Sequence, residues 1–512
     1  MVEGMPPGPT ASELAVAGVP GGSAFSTRAL ELGCAALSLV ALVALSWRHM
    51  DLLGDSFWSI ATGRWILEHG RLPETDPFSF TAEREWLVHM PLSQIVFAWV
   101  EQAVGVLGLE LFGALTFTGA LVCLWWGHAR NAPSRLLTWP LLLLLVAVQC
   151  NDLCVRGQLF GDLFVALLLG CLFRMRDGRA VHPLLPLGMG SVWINLHASA
   201  FLSVALPLAF GLAIQLAEPR WLSAAGGARR SSALARALRP WLTFAGLAAL
   251  GLLANPYGVH LVGDLIGLMR AASTAEIDLF GPPDFSSPGT LLTIAVVLAV
   301  LVLSVRRRSA RVGLPEALVL GALLVAACAA RRHQPLALAF AIAVVARDLS
   351  QRVPHLLQDP AARRWATIAT AAVATATSIY GLSTDKDPWR DVPFDEARLI
   401  EDAGLPDHVA NIYHWGGFLD YAWAGRRKVF IDGRNQLFER TFADSRRLNR
   451  VEEWAEVLDR YRINTVLWER GSALDYALSQ SPDWAMLQRG RIAVVYVRRQ
   501  ALPALLSSLP RP

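Results

Sequence analysis

Charge is scarce in this chain. Asp, Glu, Lys and Arg make up 17% of the 512 residues, while 54% are hydrophobic. That balance excludes a soluble protein throughout and describes a membrane protein with some soluble mass attached. Lysine is nearly missing: 44 of the 46 basic residues are Arg, leaving Lys386 and Lys428, which we read as codon usage before function. A net charge of +4 is too small to point to nucleic acid. The six cysteines stand at positions 34, 123, 150, 154, 171 and 328, in or beside apolar runs and never in the C-terminal part. They exclude a disulfide framework and a zinc motif, and Cys150 and Cys154, four apart, read as small residues packing between helices. A phosphate-binding fingerprint is also lacking. HWGGFLDY carries paired glycines without GxGxxG or GxxxxGK spacing, so no nucleotide cofactor is expected. Residues 1–27, rich in Gly, Pro, Ser and Ala, lack the basic start and cleavage site of a secretory signal; a disordered cytoplasmic tail is expected there.

Long apolar runs are what the chain does have. They lie near 29–47, 107–126, 137–150, 158–174, 183–195, 198–217, 240–254, 289–305, 313–330, 334–347 and 365–382. About eleven spans result if each crosses ~30 Å of hydrocarbon. Arginines cluster in every second loop, at 130 and 135, 174 to 179, 220 to 239, 306 to 311 and 347 to 364. The positive-inside rule makes those loops cytoplasmic. Loops 48–106, 151–157, 195–197, 255–288 and 331–333 then face outward, as does everything after Tyr380, and the protein is expected in the bacterial inner membrane.

Outward-facing loops hold most of the chemistry. Asn151, Asp152, Arg156, Asn195, His197, Asn255, Tyr257, His260, Glu276, Asp278, Asp284, Arg331, Arg332 and His333 all fall there. Such a convergent polar set usually lines a hydrated site. The longest outer loop opens with Asp51 and Asp55 at the membrane exit. If the first helix continued, the two would share one face and one cation or proton. From Ser56, Phe57, Trp58, Ala61 and Trp65 recur at helical spacing and Gly70 is a stop, which predicts an interfacial helix on the outer surface with Asp55 able to serve as its cap. Asp76, before Pro77, reads as a turn.

Residues 383–512 shift to globular composition. VANIY (409–413), KVFID (428–432), INTVLW (463–468) and IAVVYV (492–497) read as strands alternating with helices, which predicts a soluble α/β domain. Trp415 with its two glycines and Asp432-Gly433-Arg434 follow the first two strands, where α/β sheets carry ligands. Plain turns are the alternative, and Arg434 is a candidate for gripping phosphate or carboxylate.

DSFWSIATGRWILEHGRLPETDPFSFT, WLVHMPLSQ, VRGQLF, WINLHASAF, NPYG, RRHQPLALA, YHWGGFLDY and KVFIDGRN together resemble a group of bacterial multi-spanning proteins similar to GT-C class glycosyltransferases, alongside protein mannosyltransferases and aminoarabinose transferases. The resemblance covers about residues 50 to 500. It implies a mainly α membrane protein, a GT-C-like helical bundle with a C-terminal soluble domain, using a polyprenyl-phosphate-linked sugar at the outer leaflet. In such enzymes an acid just beyond the first span acts as base or metal ligand. Asp55 matches it, with Asp51 second, and a pair of carboxylates suits Mg or Mn. Arg156, Arg331 and Arg332, with His333 or His197, would grip the lipid phosphate, and Asn255, Tyr257, Trp415 and Arg434 complete the expected substrate-binding set. The acceptor would be a glycan, lipid or protein. Ser59 stands where the group commonly has His, Met90 where it has a polar or acidic residue, and Gly157 where it has Pro. A non-catalytic scaffold that binds lipid-linked glycan is the alternative. A transporter fits less well, because few ionisable residues lie at mid-membrane depth, Asp162 excepted.

Overall fold

In the computed structural model, the described residues are 22–128, 139, 142, 143, 146, 153–219, 227–270, 281–306, 313–356 and 359–501. Residues 1–21, most of the apolar run 137–150 with Cys150, and Asn151, Asp152, Glu276 and Asp278 lie outside them, as do Arg130, Arg135, Arg220, Arg307, Arg308 and Arg311.

Twelve described helices make up the apolar part: α1 (Gly22–His49), α2 (Gly54–His69), α3 (Pro91–His128), α4 (Gln158–Arg176), α5 (Leu184–Ile194), α6 (Leu202–Ala217), α7 (Gly227–Leu252), α8 (His260–Arg270), α9 (Pro288–Arg306), α10 (Leu314–Ala329), α11 (Gln334–Leu356) and α12 (Pro360–Leu382). The first begins inside the segment expected to be a disordered tail. Among the described residues six helices are long and apolar enough to cross a membrane: Ala29–His49, Pro91–Leu124, Gln158–Arg176, Ala198–Ala217, Pro288–Arg306 and Pro360–Leu382. Helices α5 and α10 are apolar but shorter. The runs at 240–254 and 334–347 fall within α7 and α11, whose arginine-bearing ends dilute their hydropathy. This is a membrane protein, and eleven spans remain the reading of the sequence.

Contacts between loops join members of the same set. At one end Arg176 pairs with Glu218 and, at 3.4 Å, with Glu316; Arg347 meets Asp177 at 2.7 Å, and Arg363 meets Glu31. At the other end Asp51 and Cys154 form a backbone bridge, and Leu92 N–H donates to Asn195 O at 3.0 Å. Val88 N–H there donates to the Tyr257 hydroxyl at 3.0 Å, and Arg331 N–H to Gly281 O at 3.1 Å.

Helix α2 forms where its spacing predicts and stops at Gly70, whose φ of 65° is the left-handed cap geometry. It is not an exposed interfacial helix. Phe57, Trp58, Ser59, Ile60, Ala61 and Thr62 are buried, because α2 lies between α3 and a helix of the soluble region.

That region contains α13 (Phe394–Asp402), β1 (Val409–Asn411), α14 (Tyr413–Trp423), α15 (Glu439–Arg450), α16 (Trp454–Arg460), β2 (Thr465–Glu469), α17 (Ala473–Gln480), β3 (Trp484–Arg489) and β4 (Ala493–Arg498). Its sheet runs β1-β2-β4-β3, with β1 parallel to β2 and the other pairs antiparallel. Sequence reading misses β3 and places Trp415 with its two glycines at a strand end, as a ligand-carrying loop or a plain turn, whereas HWGGFLDY is the body of α14. KVFID is not a regular strand. Val429 makes single bridges to Val409 and Ser79, and the Asn411 side chain takes over the ladder, accepting from Phe430 N at 2.8 Å and donating to Ile431 O at 2.7 Å. Between β1 and β2, α15 and α16 are separate helices, broken where Val451 and Glu453 take φ of 59° and 49°.

Candidate functional site

The chain leaves α1 at His49 and enters α2 at Gly54, with Leu53 extended between them. The two acids at this exit therefore do not share a helix face as expected. Asp51 is held in the backbone bridge to Cys154, and its carboxylate meets Lys386 Nζ at 3.2 Å. Lys386 also donates to Met50 O and stands 3.5 Å from the buried Glu110. Asp51 thus ties the membrane exit to Lys386, at the start of the C-terminal region. Among the described residues no three His, Cys, Asp or Glu side chains are grouped to hold a metal ion.

Asp55 is different. It lies in the first turn of α2, half-buried, and it is not the cap: Leu53 is, with its N–H donating to Ser56 Oγ at 3.1 Å. One Asp55 oxygen, Oδ1, accepts from the Trp58 indole N–H at 3.1 Å. No cation pairs with this carboxylate among the described residues. Ser59, where His was the group's common residue, donates its hydroxyl to Asp55 O.

Gly433 of the C-terminal region stands against Asp55, and Tyr413 lies within electrostatic reach of it. A Cβ placed on Gly433 would lie 2.8 Å from Asp55 Oδ1 and 3.2 Å from Trp58 Nε1. The Tyr413 hydroxyl donates to Asn435 Oδ1 at 2.9 Å. Burial first, and then the negative charge of Asp55, push the Tyr413 phenol upward. Sequence reading chooses the nearby Arg434 and Trp415 instead, one and two positions further along the chain.

Those two neighbours face protein, which corrects their expected role. Trp415 is 2% exposed, packs in the core and donates its indole N–H to Asp391 O at 3.1 Å. Arg434 is 1% exposed. Its guanidinium bonds Asp76 at 2.6 and 3.2 Å and Asp432 at 2.9 and 2.5 Å, beneath the Trp86 ring at 4.5 Å. A cation so occupied has no edge left for a substrate phosphate. Asp76 does form the expected turn, accepting from Phe78 N at 3.0 Å and Ser79 N at 3.1 Å, but its main work is this ion pair across 358 residues of sequence.

A second polar cluster forms where the other outer loops meet. A Cβ on Gly157 would stand 2.8 Å from Leu196 O and 2.9 Å from the Met90 sulfur, with the His197 ring 3.4 Å away. Met90 and Gly157, both unusual for the group, thus meet beside His197. Arg156 is within electrostatic reach of His197 and Asp162, and Gln158 donates to Asp162 Oδ1 at 2.9 Å. His197 Nδ1 accepts from Ser199 N–H at 3.1 Å, so the neutral ring carries its proton on Nε2. Burial, and then Arg156, push this imidazole down to about 3, which keeps it neutral at pH 7.

The remaining expected residues divide. Asn255 is consumed by its own turn, donating to Leu252 O at 2.8 Å and Gly258 O at 3.1 Å and accepting from Tyr257 N at 2.9 Å. Tyr257 accepts from Val88 N and so holds the first outer loop. Arg331, Arg332 and His333 form a single 3-10 turn between α10 and α11, and burial, then Arg332, lower the His333 imidazole. An unexpected pair joins this end as well: His89 Nε2 lies 2.5 Å from Asp264 Oδ2, tying the first outer loop to α8. Its signal in the sequence was only a His next to Met90 and an acid on an amphipathic helix.

Neither protein-family models nor curated proteins match this chain. Solved structures do. The apo oligosaccharyltransferase of Archaeoglobus fulgidus is similar over 87% of this chain and 70% of its own, with a TM-score of 0.55 and 11% identity. The same organism's oligosaccharyltransferase AglB, in complex with an inhibitory peptide and a dolichol-phosphate, covers 94% of this chain and 75% of its own at TM-score 0.52 and 11% identity. ArnT from Cupriavidus metallidurans bound to undecaprenyl phosphate covers 96% of this chain and all of its own, with TM-score 0.51 and 14% identity. Both neighbours are GT-C glycosyltransferases, and the chain has a GT-C-like fold.

Proposed function

We propose that the protein is an integral membrane glycosyltransferase that moves a sugar from a polyprenyl-phosphate donor to an acceptor hydroxyl at the outer face of the inner membrane, with Asp55 as base. One observation carries this reading. Asp51, Asp76 and Asp432 pair with Lys386 or Arg434, whereas Asp55 sits just beyond the first span, half-exposed, and among the described residues only an indole N–H bonds its carboxylate. A carboxylate that no cation holds is left to take a proton from the acceptor.

In this scheme Asp55 takes the proton of the acceptor hydroxyl as the oxygen attacks the anomeric carbon. The bond from that carbon to the phosphate oxygen breaks, and polyprenyl phosphate leaves. Arg156 would neutralise the phosphate, with the Nε2–H of neutral His197 as a donor and Arg331 and Arg332 as further cations. The fold agrees with this, since the neighbours named above include ArnT bound to undecaprenyl phosphate and AglB with dolichol-phosphate.

Mass spectrometry of surface and lipid-linked glycans tests it, in cells lacking the gene and complemented with wild type or Asp55→Asn. Deletion is expected to remove one sugar, wild type to restore it, and Asp55→Asn at equal protein level to lose at least ~100-fold in transfer. Full restoration by Asp55→Asn, or an unchanged glycan profile on deletion, would leave the scaffold reading in its place.

A further inference from the structure

The wall facing Asp55 belongs to the soluble region and is set by buried charge. Gly433 is the centre of the Asp432-Gly433-Arg434 bend, and both flanking side chains are fully buried. Arg434 N–H donates to Asp432 Oδ1 at 2.8 Å, and the guanidinium closes on Asp432 and Asp76. The bend is therefore locked from behind, while the absence of a side chain on its glycine leaves room for the Asp55 carboxylate and the Trp58 indole that bonds it. Beside it, a Cβ on Gly54 would stand 3.2 Å from the His414 carbonyl oxygen, so the start of α14 also abuts the start of α2. Tyr413, at that start, is fixed by Asn435.

We infer that the Asp432-Gly433-Arg434 bend and Tyr413 position Asp55, so that the soluble region supplies one wall of the reaction site and Arg434 acts through Gly433. This rests on the transferase reading with Asp55 as base. Gly433 and Tyr413 are positioning residues here: they set where the carboxylate points without themselves taking the proton. A side chain at position 433 would meet Asp55 Oδ1 at 2.8 Å and Trp58 Nε1 at 3.2 Å, so the Asp55 carboxylate would have to turn aside.

Two readouts on the full-length chain test the inference. In detergent-purified protein, the thermal midpoints of Gly433→Ala, Asp55→Ala and the double variant form a cycle. The drop caused by Gly433→Ala is expected to shrink by at least about half when Asp55 is already Ala, because contacting residues couple; equal drops in both backgrounds would overturn the contact. In complemented deletion cells, Gly433→Ala and the volume-conserving Tyr413→Phe, at wild-type protein level, are expected to lower formation of the missing glycan by more than about tenfold, as a misplaced base does. The acid limb of that formation against external pH should move for both. A destabilised variant remote from Asp55 should leave the limb in place. Wild-type formation by both variants would overturn the positioning role, while restoration by Asp55→Ala would instead overturn catalysis at Asp55 and the role built on it.

Discussion

At the scale of single residues, the same side-chain type does opposite work depending on its partners. Asp76, Asp432 and Asp420 surround Arg434, yet only the first two bond it; Arg434 Nη2 stands 3.9 Å from Asp420 Oδ2. Three carboxylates and one guanidinium cannot all be charged cheaply in a buried site. Burial, and then the charge of Asp432, raise the Asp420 carboxyl well above the ordinary carboxylate range, which favours its neutral form. The linkage has a definite sign: a raised folded pKa makes stability fall as pH climbs above the unfolded value near 3.8. Asp420→Asn should therefore be as stable as wild type or more so at pH 7, and the gain should fade as pH approaches 4, read from thermal midpoints across that range. A midpoint well below wild type at pH 7 would mean that Asp420 is ionised and paired. None of this is legible in the sequence, where Asp420 is one more polar residue in FLDY. An ion pair between positions 76 and 434 leaves no local pattern.

At the scale of elements, α2 is held by close backbone approach on both sides. A Cβ on Gly63 would lie 2.0 Å from Gln94 O in α3, and one on Gly417 would lie 2.1 Å from Gly54 O. Of the paired glycines of HWGG, Gly417 lets α14 cross the start of α2, and Gly416 lets it pack against the backbone of Ile431 and Asp432. Backbone cannot yield as a flexible side chain can, so Gly63→Ala and Gly417→Ala are each expected to cost about 1–3 kcal/mol, seen as lower thermal midpoints and less protein in the membrane. Gly246→Ala in α7, with open space around its Cβ position, should be neutral or slightly stabilising through helix propensity. Equal behaviour of the three would refute the close-packing account. Between α2 and these neighbours, Arg64 bonds Glu101 at 2.6 Å and Tyr421 bonds the same carboxylate at 3.0 Å, so α2, α3 and α14 share one polar clasp.

At the scale of the whole molecule, the first outer loop is what joins the soluble region to the helices. Phe78 O accepts from Val429 N at 2.8 Å, Thr81 donates to Phe430 O at 2.5 Å, and Glu83 accepts from the first free N–H groups of α15 at Arg440 and Thr441, 2.9 Å each. Asp76 and Arg434 are the buried centre of this seam. Removing one partner of a buried pair strands the other charge, so Asp76→Ala is expected to cost about 3 kcal/mol or more. It should also loosen the soluble region, observed as faster proteolytic release of a fragment after residue 383 at neutral pH. Unchanged proteolysis would show that the backbone pairing alone holds the seam.

The sequence by itself determined the apolar helices, the sorting of loops into two ends by arginine, the α/β character of the C-terminal region and Asp55 as a candidate. Those properties follow from local periodicity, composition and charge, which act through neighbours in the chain. Tertiary structure decided which acids are spent and which remain available: Asp51 went to Lys386, Asp76 and Asp432 to Arg434, and Asp55 was left beside Gly433 and Tyr413. Partnership between charges depends on distance through space, and residues separated by more than 300 positions meet only once the helices and the soluble region have packed.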